Sequence, residues 1–216
     1  MTGFVKVCGI QNVNEALGSI EAGANTIGML IGVPEFVKDR ISPETARKIV
    51  AEVPESIRTV MVTHLLETDK IADLAEYTKV SAVQVHNELP VKDLALLRKK
   101  LKGLEIIKAV HVVDESSVQQ AKMYEPYSDM ILLDSKSGDM IGGTGKTHDW
   151  DISKRIVEQA EVPVILAGGL NPGNIEAAVK KVNPSGIDAN SGLEHEDGSK
   201  DFEKIRRFIK AGAVLT

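Results

Sequence analysis

Two residues able to exchange protons stand in short apolar runs that lie far apart in the sequence. Cys8 belongs to the run Val5–Ile10, and Asp134 to the run Met130–Ser135. A thiolate can act as a base and a carboxylic acid as a proton donor, so the two side chains form a candidate acid–base pair. The carboxyl ends of parallel strands lie at the same end of a sheet, where such groups can meet. The pair therefore predicts proton-transfer chemistry.

Each of these residues also has a purely structural explanation. A free cysteine is most often a small buried hydrophobe, and a strand-end carboxylate can cap the following loop. However, carboxylates are rare at the end of an apolar strand unless they are paired or functional, and Asp188 is a second such case. Lys6 is two residues before Cys8, so we expect its side chain on the same face of the strand, inside a barrel and below the thiol. A cation there would lower the thiol pKa and favour a base.

Three glycine-rich segments predict a phosphate-binding site. They follow the sixth, seventh and eighth apolar runs and cover Ile141–Thr147, Ala167–Asn171 and Ala189–Glu194. Glycine lets the backbone approach a ligand closely, and exposed backbone N–H groups bind anions. Tight turns also need glycine for their own geometry, so the prediction depends on the three segments together. The candidate phosphate ligands are Gly142, Gly143, Gly168, Gly169, Ser191 and Gly192.

Three further residues are candidates for binding the rest of a substrate. Arg40 follows the second apolar run and is either a solvated charge or a bidentate ligand for a substrate carboxylate. His86 ends the fourth run and Asp188 lies in the eighth, so both are expected near Cys8. The remaining histidines are scattered, without the H-x-x-x-H spacing typical of a metal site, so no metal is expected.

The composition indicates one domain that acts on a small molecule. The 216 residues are 43% hydrophobic, which suits a single buried core over residues 1–216. A net charge of −5 argues against nucleic acid or an anionic membrane as a partner. The single cysteine excludes an internal disulfide and favours the reducing cytoplasm. There is no signal-peptide pattern and no apolar run of about 20 residues. Monomer and homodimer are both compatible with the sequence.

Eight apolar, β-rich runs alternate with stretches long enough for one helix each. This alternation predicts right-handed βαβ units, and eight units close a (β/α)8, or TIM, barrel, whose phosphate site commonly uses the loops after strands seven and eight. An open doubly wound sheet is the alternative, but no G-x-G-x-x-G follows the first run. The predicted strands are Phe4–Ile10, Thr26–Ile31, Arg58–Thr63, Ala82–His86, Glu105–Val110, Asp129–Asp134, Pro163–Ala167 and Gly186–Ala189.

Local signals predict where several helices begin. Asn12 and Ser42 each precede a helical stretch and supply the side-chain oxygen that caps a helix N-terminus. Pro43 suits the first helical position. Asn171, also followed by proline, is predicted to cap a third helix in the same way. The apolar stripe of the last helix consists of Phe202, Ile205, Phe208 and Ile209.

Several segments, in order along nearly the whole chain, carry a family resemblance. They are Lys6–Ile10, Arg40–Ser42, Leu132–Ser135, Gly143–Trp150, Leu166–Pro172, Gly186–Asp188 and Ser191–Glu194. Together they resemble phosphoribosylanthranilate isomerase, a TIM-barrel family of tryptophan biosynthesis. The segments that begin at Lys6, Gly143 and Leu166 are specific as a set, and the chain length matches the monofunctional form of the family.

The resemblance implies an Amadori rearrangement of N-(5-phosphoribosyl)anthranilate to 1-(2-carboxyphenylamino)-1-deoxyribulose 5-phosphate. In the family, the residue matching Asp134 is the general acid that opens the furanose ring, and the residue matching Cys8 is the general base that removes the C2 proton. The residue matching Arg40 contacts the anthranilate carboxylate, and the glycine turns hold the phosphate. The resemblance implies no cofactor, because the iminium formed on ring opening withdraws electrons from C2.

The chain departs from the family pattern mainly where the aromatic end of the substrate is expected. The differences lie at Glu35–Arg40, Met61–His64 and Gln84–Asn87, with a further one at Asn190–Gly192. Two alternatives therefore stay open. One is a paralogous barrel that isomerises or epimerises another phosphosugar, and the other is a phosphosugar-binding protein without catalysis. Metal ligands at strand ends would favour an epimerase, and the sequence contains no such set.

Overall fold

The predicted alternation of strands and helices is confirmed in the computed structural model, which describes residues 3–137, 140–141 and 147–212. Each of the eight predicted runs forms a strand, with bounds that differ from the prediction by a few residues at most. The strands are β1 Phe4–Val7, β2 Thr26–Leu30, β3 Arg58–Thr63, β4 Ala82–Val85, β5 Glu105–Val112, β6 Met130–Ser137, β7 Val164–Leu166 and β8 Gly186–Ala189.

Parallel hydrogen bonding closes these strands into a barrel. β1 pairs with β2 on one side and with β8 on the other, and β5 pairs with β6, so every strand has two parallel neighbours. The closing register runs from Phe4 opposite Gly186 to Val7 opposite Ala189. A two-residue strand, Met140–Ile141, pairs antiparallel with the end of β6 and is not part of the ring. The carboxyl ends of all eight strands therefore open at one mouth.

One helix follows each strand, which makes eight in the described part of the chain. They are α1 Val13–Glu21, α2 Pro43–Glu52, α3 Thr68–Thr78, α4 Val91–Lys100, α5 Ser116–Tyr124, α6 Trp150–Gln159, α7 Ile175–Val182 and α8 Phe202–Gly212. The predicted caps at Asn12 and Ser42 are confirmed, since their side-chain oxygens accept hydrogen bonds from the backbone N–H groups of Glu15 and Thr45. None of these eight helices has the length and apolar character needed to cross a membrane.

The predicted helix cap at Asn171 is wrong. The helix α7 begins at Ile175, and Asn171 Oδ1 instead accepts a hydrogen bond from Gly173 N at 2.8 Å, in a turn that precedes the helix. Asparagine side chains bond to the backbone two residues on as readily as they cap helices. Asn174 Oδ1 accepts from Asn171 N at 2.8 Å and locks this turn, so the helix starts after it.

Alternate strand residues build two apolar layers. Outward-facing side chains pack against the helices and inward-facing ones fill the barrel, as the two-residue period of a strand requires. In β3, Val60 and Val62 belong to the inner cluster, whereas Met61 belongs to the outer one. Towards the mouth the interior becomes polar. The buried polar residues there include Lys6, Gln84, Asp134 and Asp188, each at most 8% exposed.

Candidate active site

A cavity of about 420 Å³ opens at the mouth of the barrel. Its wall contains most of the residues predicted to form a site, although they come from strands spread over the whole chain. Those that line it are Cys8, His86, Asp134, Gly168, Gly169, Asp188, Ser191 and Gly192. Two predicted phosphate ligands, Gly142 and Gly143, lie outside the described residues. The fold therefore joins the acid–base pair to two of the three glycine segments.

Cys8 follows β1 directly and presents a nearly buried thiol to this cavity. Its backbone N–H donates to the Ala189 carbonyl at 2.9 Å, which extends the pairing of β1 with β8 by one residue. Burial raises the pKa of the thiol, and this effect outweighs the opposing field of Lys6. The protonated thiol is therefore the resting form at neutral pH, and a thiolate forms only when the proton moves elsewhere.

Asp134 lies on β6 and is held by two contacts. Oδ1 accepts a hydrogen bond from Ser135 N at 2.7 Å, and Oδ2 is 3.3 Å from His86 Nε2. Burial on its own would raise the pKa of Asp134, but the His86 contact and the nearby His111 hold it below its usual value. The Gln84 amide nitrogen lies 3.0 Å from His86 Nδ1 and donates to it, which leaves the ring proton on Nε2, facing Asp134.

Three histidines form a cluster beside Asp134, contrary to the expectation that the histidines are scattered. The rings of His64 and His86 stack with centroids 5.2 Å apart, and His111 meets His86 edge-on at the same distance. Burial lowers the pKa of His64 to about 4, so it is neutral at pH 7. No group of His, Cys, Asp and Glu in the described residues has an arrangement that could hold a metal ion.

The two-residue period of the strands predicts this histidine cluster from the sequence. Counting every second residue along each of three neighbouring strands leads from the barrel interior to the mouth. The series are Val60, Val62 and His64; Ala82, Gln84 and His86; and Ile107, Ala109 and His111. Because the strands are adjacent and parallel, their next inward positions must meet.

Arg40 lies outside the cavity wall, unlike the other predicted ligands that the structure describes. It is exposed, and its Nη1 donates to the Glu35 carbonyl. The cation that lines the cavity in this loop is Lys38, which pairs with Glu194 Oε2 at 2.8 Å. The structure thus does not bring Arg40 to the acid–base pair, and its role as a carboxylate ligand stays a prediction.

A buried polar network that the sequence analysis missed ties the loop after β2 to the loop after β8. Asn190 Nδ2 donates to Asp39 Oδ2 at 2.9 Å, and Asn190 Oδ1 accepts from Lys200 Nζ at 2.6 Å. Lys200 Nζ also pairs with Glu194 Oε1 at 2.8 Å, and Glu194 binds Lys38 with its other oxygen. These contacts fix two walls of the cavity relative to each other.

The loops after β7 and β8 form the glycine-rich end of the cavity. Gly168 and Gly169 have φ of 79° and 67°, which glycine adopts without strain. A Cβ on Gly168 would lie 2.2 Å from Ser135 Oγ, and one on Gly192 would lie 2.1 Å from the Leu170 carbonyl oxygen. Glycine is therefore required for packing at both positions, and the same bare backbone faces the cavity.

Lys108 supports the mouth from outside the barrel. Its buried ammonium donates to the Asn87 carbonyl at 2.7 Å. Asn87 Nδ2 in turn donates to the carbonyls of His64 and Leu65, each at 2.7 Å. Burial lowers the pKa of Lys108 from 10.5 to about 7, with Glu88 opposing the shift. The histidine cluster is thus held in place by a lysine that is only about half protonated at neutral pH.

This lysine predicts a pH-dependent stability. Its folded pKa of about 7 lies below the unfolded value of 10.5, so the unfolded chain binds more protons between these pH values. The contribution of Lys108 to the free energy of unfolding therefore rises with pH above about 7, by roughly 1.4 kcal/mol per pH unit at most. We expect the difference in unfolding free energy between wild type and Lys108→Met to increase from pH 7 to 9 in urea titrations.

Cys8 has the opposite effect, since its raised pKa makes the free energy of unfolding fall at high pH. This effect is present in both proteins and cancels in the difference between wild type and Lys108→Met. Lys99→Met, a change at an exposed lysine on α4, is the matched control and should give a constant difference. A constant difference for Lys108→Met as well would mean that the buried amine titrates near its unfolded value.

The fold and the mouth together define a class: a (β/α)8 barrel with an acid–base pair and glycine-rich loops at the carboxyl ends of its strands. The chain belongs to the N-(5'-phosphoribosyl)anthranilate (PRA) isomerase family, whose model matches residues 5–211. The family resemblance and the barrel predicted from the sequence are therefore confirmed.

Individual relatives agree over nearly the full chain. N-(5'-phosphoribosyl)anthranilate isomerase 2 of Methanosarcina mazei is 40% identical over 207 residues, covering 95% of this chain and 92% of that protein. The crystal structure of phosphoribosyl anthranilate isomerase from Thermotoga maritima has a TM-score of 0.86 and 39% identity, covering 98% of both chains. A structure of the isomerase in complex with reduced 1-(o-carboxyphenylamino)-1-deoxyribulose 5-phosphate has a TM-score of 0.83 and 36% identity, again covering 98% of both chains.

Proposed function

We propose that this chain catalyses the Amadori rearrangement of N-(5-phosphoribosyl)anthranilate to 1-(2-carboxyphenylamino)-1-deoxyribulose 5-phosphate, an isomerisation in tryptophan biosynthesis. One observation carries the proposal: Cys8 and Asp134 line one cavity in a chain of this family. Cys8 follows β1 and Asp134 lies on β6, and β7 and β8 separate these two strands around the barrel, so the two side chains approach a small ligand from different sides. Such an arrangement suits an acid and a base that act on different atoms of one substrate.

In the proposed reaction, Asp134 donates a proton to the furanose ring oxygen while the bond from that oxygen to C1 breaks. The nitrogen lone pair forms the C1 iminium. The Cys8 thiolate then removes the proton from C2, the electron pair moves into the iminium, and the enolamine tautomerises to the ketone. The substrate and product are isomers, so no oxidant, reductant or cofactor is consumed. The step leaves Asp134 as a carboxylate and Cys8 as a thiol, and His86 Nε2, 3.3 Å from Asp134 Oδ2, stabilises that carboxylate.

The resting protonation states are the reverse of those that this reaction needs. Burial favours the thiol of Cys8, and His86 favours the carboxylate of Asp134. The working form, thiolate with carboxylic acid, contains the same number of protons, so the ratio of the two forms does not change with pH. Activity should therefore show a broad plateau, limited at low pH by Asp134 and at high pH by Cys8.

We place the substrate phosphate at the loops after β7 and β8, with Gly168, Gly169, Ser191 and Gly192 as its ligands. Gly142 and Gly143 remain further candidates for this end of the site. Asp188 and His86 also line the cavity, and we assign them to the ribose hydroxyl groups. The proposed partner is this small phosphorylated substrate, and the proposed location is the cytoplasm, which suits a buried free thiol. A monomer and a homodimer both remain compatible with the proposal. The single domain over residues 1–216 remains a prediction.

The experiment that tests the function is a steady-state assay with freshly prepared phosphoribosylanthranilate, monitored by the loss of its fluorescence. We expect saturable turnover that yields the 1-deoxyribulose product, identified by its ketone carbon in the 13C NMR spectrum and by its reduction with borohydride. A paralogous isomerase would be inactive with this substrate and active with another phosphosugar. A binding protein would bind the reduced product analogue without turning over substrate. Either outcome would contradict the proposal.

The carboxylate end of the substrate gives a separate prediction. Lys38 is already paired with Glu194, whereas Arg40 donates only to a carbonyl in this loop and can exchange it for a carboxylate. We expect Arg40→Ala to weaken binding of the reduced product analogue by about 1.5–3 kcal/mol, the value of a charge-assisted hydrogen bond. Isothermal titration calorimetry measures this loss, and Lys38→Ala, the matched control, should lose less.

Inorganic phosphate tests the phosphate end of the site separately from the carboxylate end. It should stabilise the unliganded protein by about 2.7 kcal/mol at a hundredfold excess over its dissociation constant. Arg40→Ala should leave this stabilisation unchanged, because Arg40 is assigned to the opposite end. If Lys38→Ala weakens the analogue more than Arg40→Ala does, then the residue lining the cavity is the carboxylate ligand.

A further inference from the structure

Lys6 is a fully buried charge directly beneath the mouth, and the proposed reaction does not use it. It lies two residues before Cys8 and therefore faces the barrel interior, as the sequence predicts. Its Nζ donates to Asp188 Oδ2 at 2.8 Å, across the closing pair of strands β1 and β8. The Lys6 side chain is fully buried and does not line the cavity. Any effect of Lys6 on substrate must therefore act through a neighbour.

The ammonium of Lys6 also contacts the thiol of Cys8. Both groups lie against Gly28 on the adjacent strand β2, and the ammonium acts to lower the pKa of the thiol. A Cβ on Gly28 would be 2.9 Å from Cys8 Sγ and 3.2 Å from Lys6 Nζ. The absence of a side chain at this position is what allows the ammonium and the sulfur to approach each other inside the barrel.

This contact supplies what a buried thiolate lacks. Removing a proton from a thiol in a dry interior leaves an anion without water, which is costly unless a cation is close. Burial alone would lower the pKa of Lys6, but Asp188 and Cys8 raise it above the usual value, so the ammonium stays charged at neutral pH. Other charges also act on the thiol, since Lys200 lowers its pKa and Asp188 raises it. Of the cations, Lys6 has the largest effect.

We propose that Lys6 is a positioning residue for catalysis, which stabilises the Cys8 thiolate from beneath while Asp188 holds its ammonium in place. The carboxylate of Asp188 has two opposing effects. It fixes the ammonium against the sulfur, and it cancels part of the charge that the sulfur experiences. Lys6 thus makes the thiol more acidic, and Asp188 limits how far this goes. The catalytic meaning of the inference rests on the proposed function, whereas the electrostatic contact does not.

The chain offers a direct test because Cys8 is its only cysteine. Thiolate absorbance at 240 nm, corrected with Cys8→Ser for tyrosine ionisation, reports the titration of this one group in the folded protein. Lys6→Met should raise the thiol pKa by at least about one unit, and Asp188→Asn should lower it. At a fixed pH near 8, the rate of alkylation by iodoacetamide should fall at least about tenfold in Lys6→Met. Lys38→Met is the matched control, a cation on the cavity wall that is paired with Glu194, and should shift neither quantity.

Lys6→Met leaves Asp188 as a buried carboxylate without its cation and can prevent folding. The double variant Lys6→Met/Asp188→Asn removes both charges together and avoids this, and Lys6→Arg keeps the charge. The thiol pKa should increase in the order Asp188→Asn, wild type, double variant, with Lys6→Arg near wild type. A double variant with a thiol pKa equal to or below that of wild type would overturn the proposal, as would equal shifts in Lys6→Met and Lys38→Met.

Measuring isomerase kinetics beside the thiol pKa shows whether the role of Lys6 or the proposed function is wrong. If the chain is the isomerase, the double variant should lower kcat, and the high-pH limit of the kcat profile should move with the thiol pKa. The expected thiol shifts in a protein without isomerase activity would support the contact and refute the function. Isomerase activity whose high-pH limit ignores these substitutions would refute the role of Lys6 and keep the function.

Discussion

Replacing Cys8 by serine is expected to lower kcat by at least about a hundredfold while the barrel stays folded. The side chain is nearly isosteric, and its neighbours Lys6 and Gly28 leave room for an oxygen. A serine hydroxyl is far less acidic than a thiol, so even the ammonium of Lys6 cannot provide an alkoxide at neutral pH. Stopped-flow turnover of phosphoribosylanthranilate, with thermal unfolding as the check of folding, measures the effect.

Cys8→Ala provides the matched comparison for this variant. It removes the polar atom entirely, so it should lose about as much activity as Cys8→Ser if the thiolate is the base. A serine variant that turns over near the wild-type rate, while the alanine variant does not, would assign Cys8 a hydrogen-bonding role. Substrate affinity should change little in both, because the glycine-rich end of the cavity is untouched.

Asp134→Asn is expected to block ring opening, with a loss of about 10²–10⁴ in kcat. The amide keeps the shape of the side chain and can still contact Ser135 N, but it has no proton to give to the ring oxygen. Binding of the reduced product analogue should stay within a few-fold of wild type. Rapid-quench measurement of the first turnover separates the chemical step from product release.

Asp39→Asn is the control for charge at the mouth. Asp39 is another buried carboxylate on the cavity wall, and it bonds to Asn190 rather than to the histidine cluster. Its loss of kcat should be much smaller than that of Asp134→Asn. Equal losses would indicate that the site needs negative charge in general, and a collapse of analogue binding in Asp134→Asn would make it a binding residue.

The barrel and its inward-facing residues could be predicted from local sequence patterns because strand periodicity is a local property. The apolar run before Cys8 and the one before Asp134 needed only their period and their ends to be placed at one mouth. The same rule, continued two residues past Val62, leads to His64, so the histidine cluster was also within reach of the sequence. The spacing of histidines along the chain does not contain this cluster, because its members meet only across adjacent strands.

Other features of the site depend on contacts that no local pattern contains. The salt bridge between Lys38 and Glu194 joins residues 156 positions apart, and Lys38 rather than Arg40 is the cation of the loop after β2 that lines the cavity. The position of Arg40 follows from that loop conformation and not from its sequence. Likewise, the turn at Asn171 depends on Asn174, where two equally good hydrogen-bonding patterns compete for one asparagine side chain.

The protonation states of the site were also beyond the sequence. Lys6 beside Cys8 predicts a more acidic thiol, and the cation does act in that direction, but the effect of burial on the thiol pKa outweighs it. Burial at the end of a strand depends on how the loops close over the mouth. Those loops are held by pairs such as Lys200 with Glu194, whose partners only the folded chain brings together.

The pairing of β1 with β8 has a consequence for the order in which the site is assembled during synthesis. A ribosome makes Lys6 and Cys8 long before Asp188, which follows 182 residues after Lys6. Until then the nascent chain has a thiol in contact with water and a lysine without its counter-ion, because the barrel cannot close without β8. The acidity and accessibility of the Cys8 thiol should therefore change when the barrel closes. The rate of thiol labelling in nascent chains stalled at different lengths would show at which length this happens.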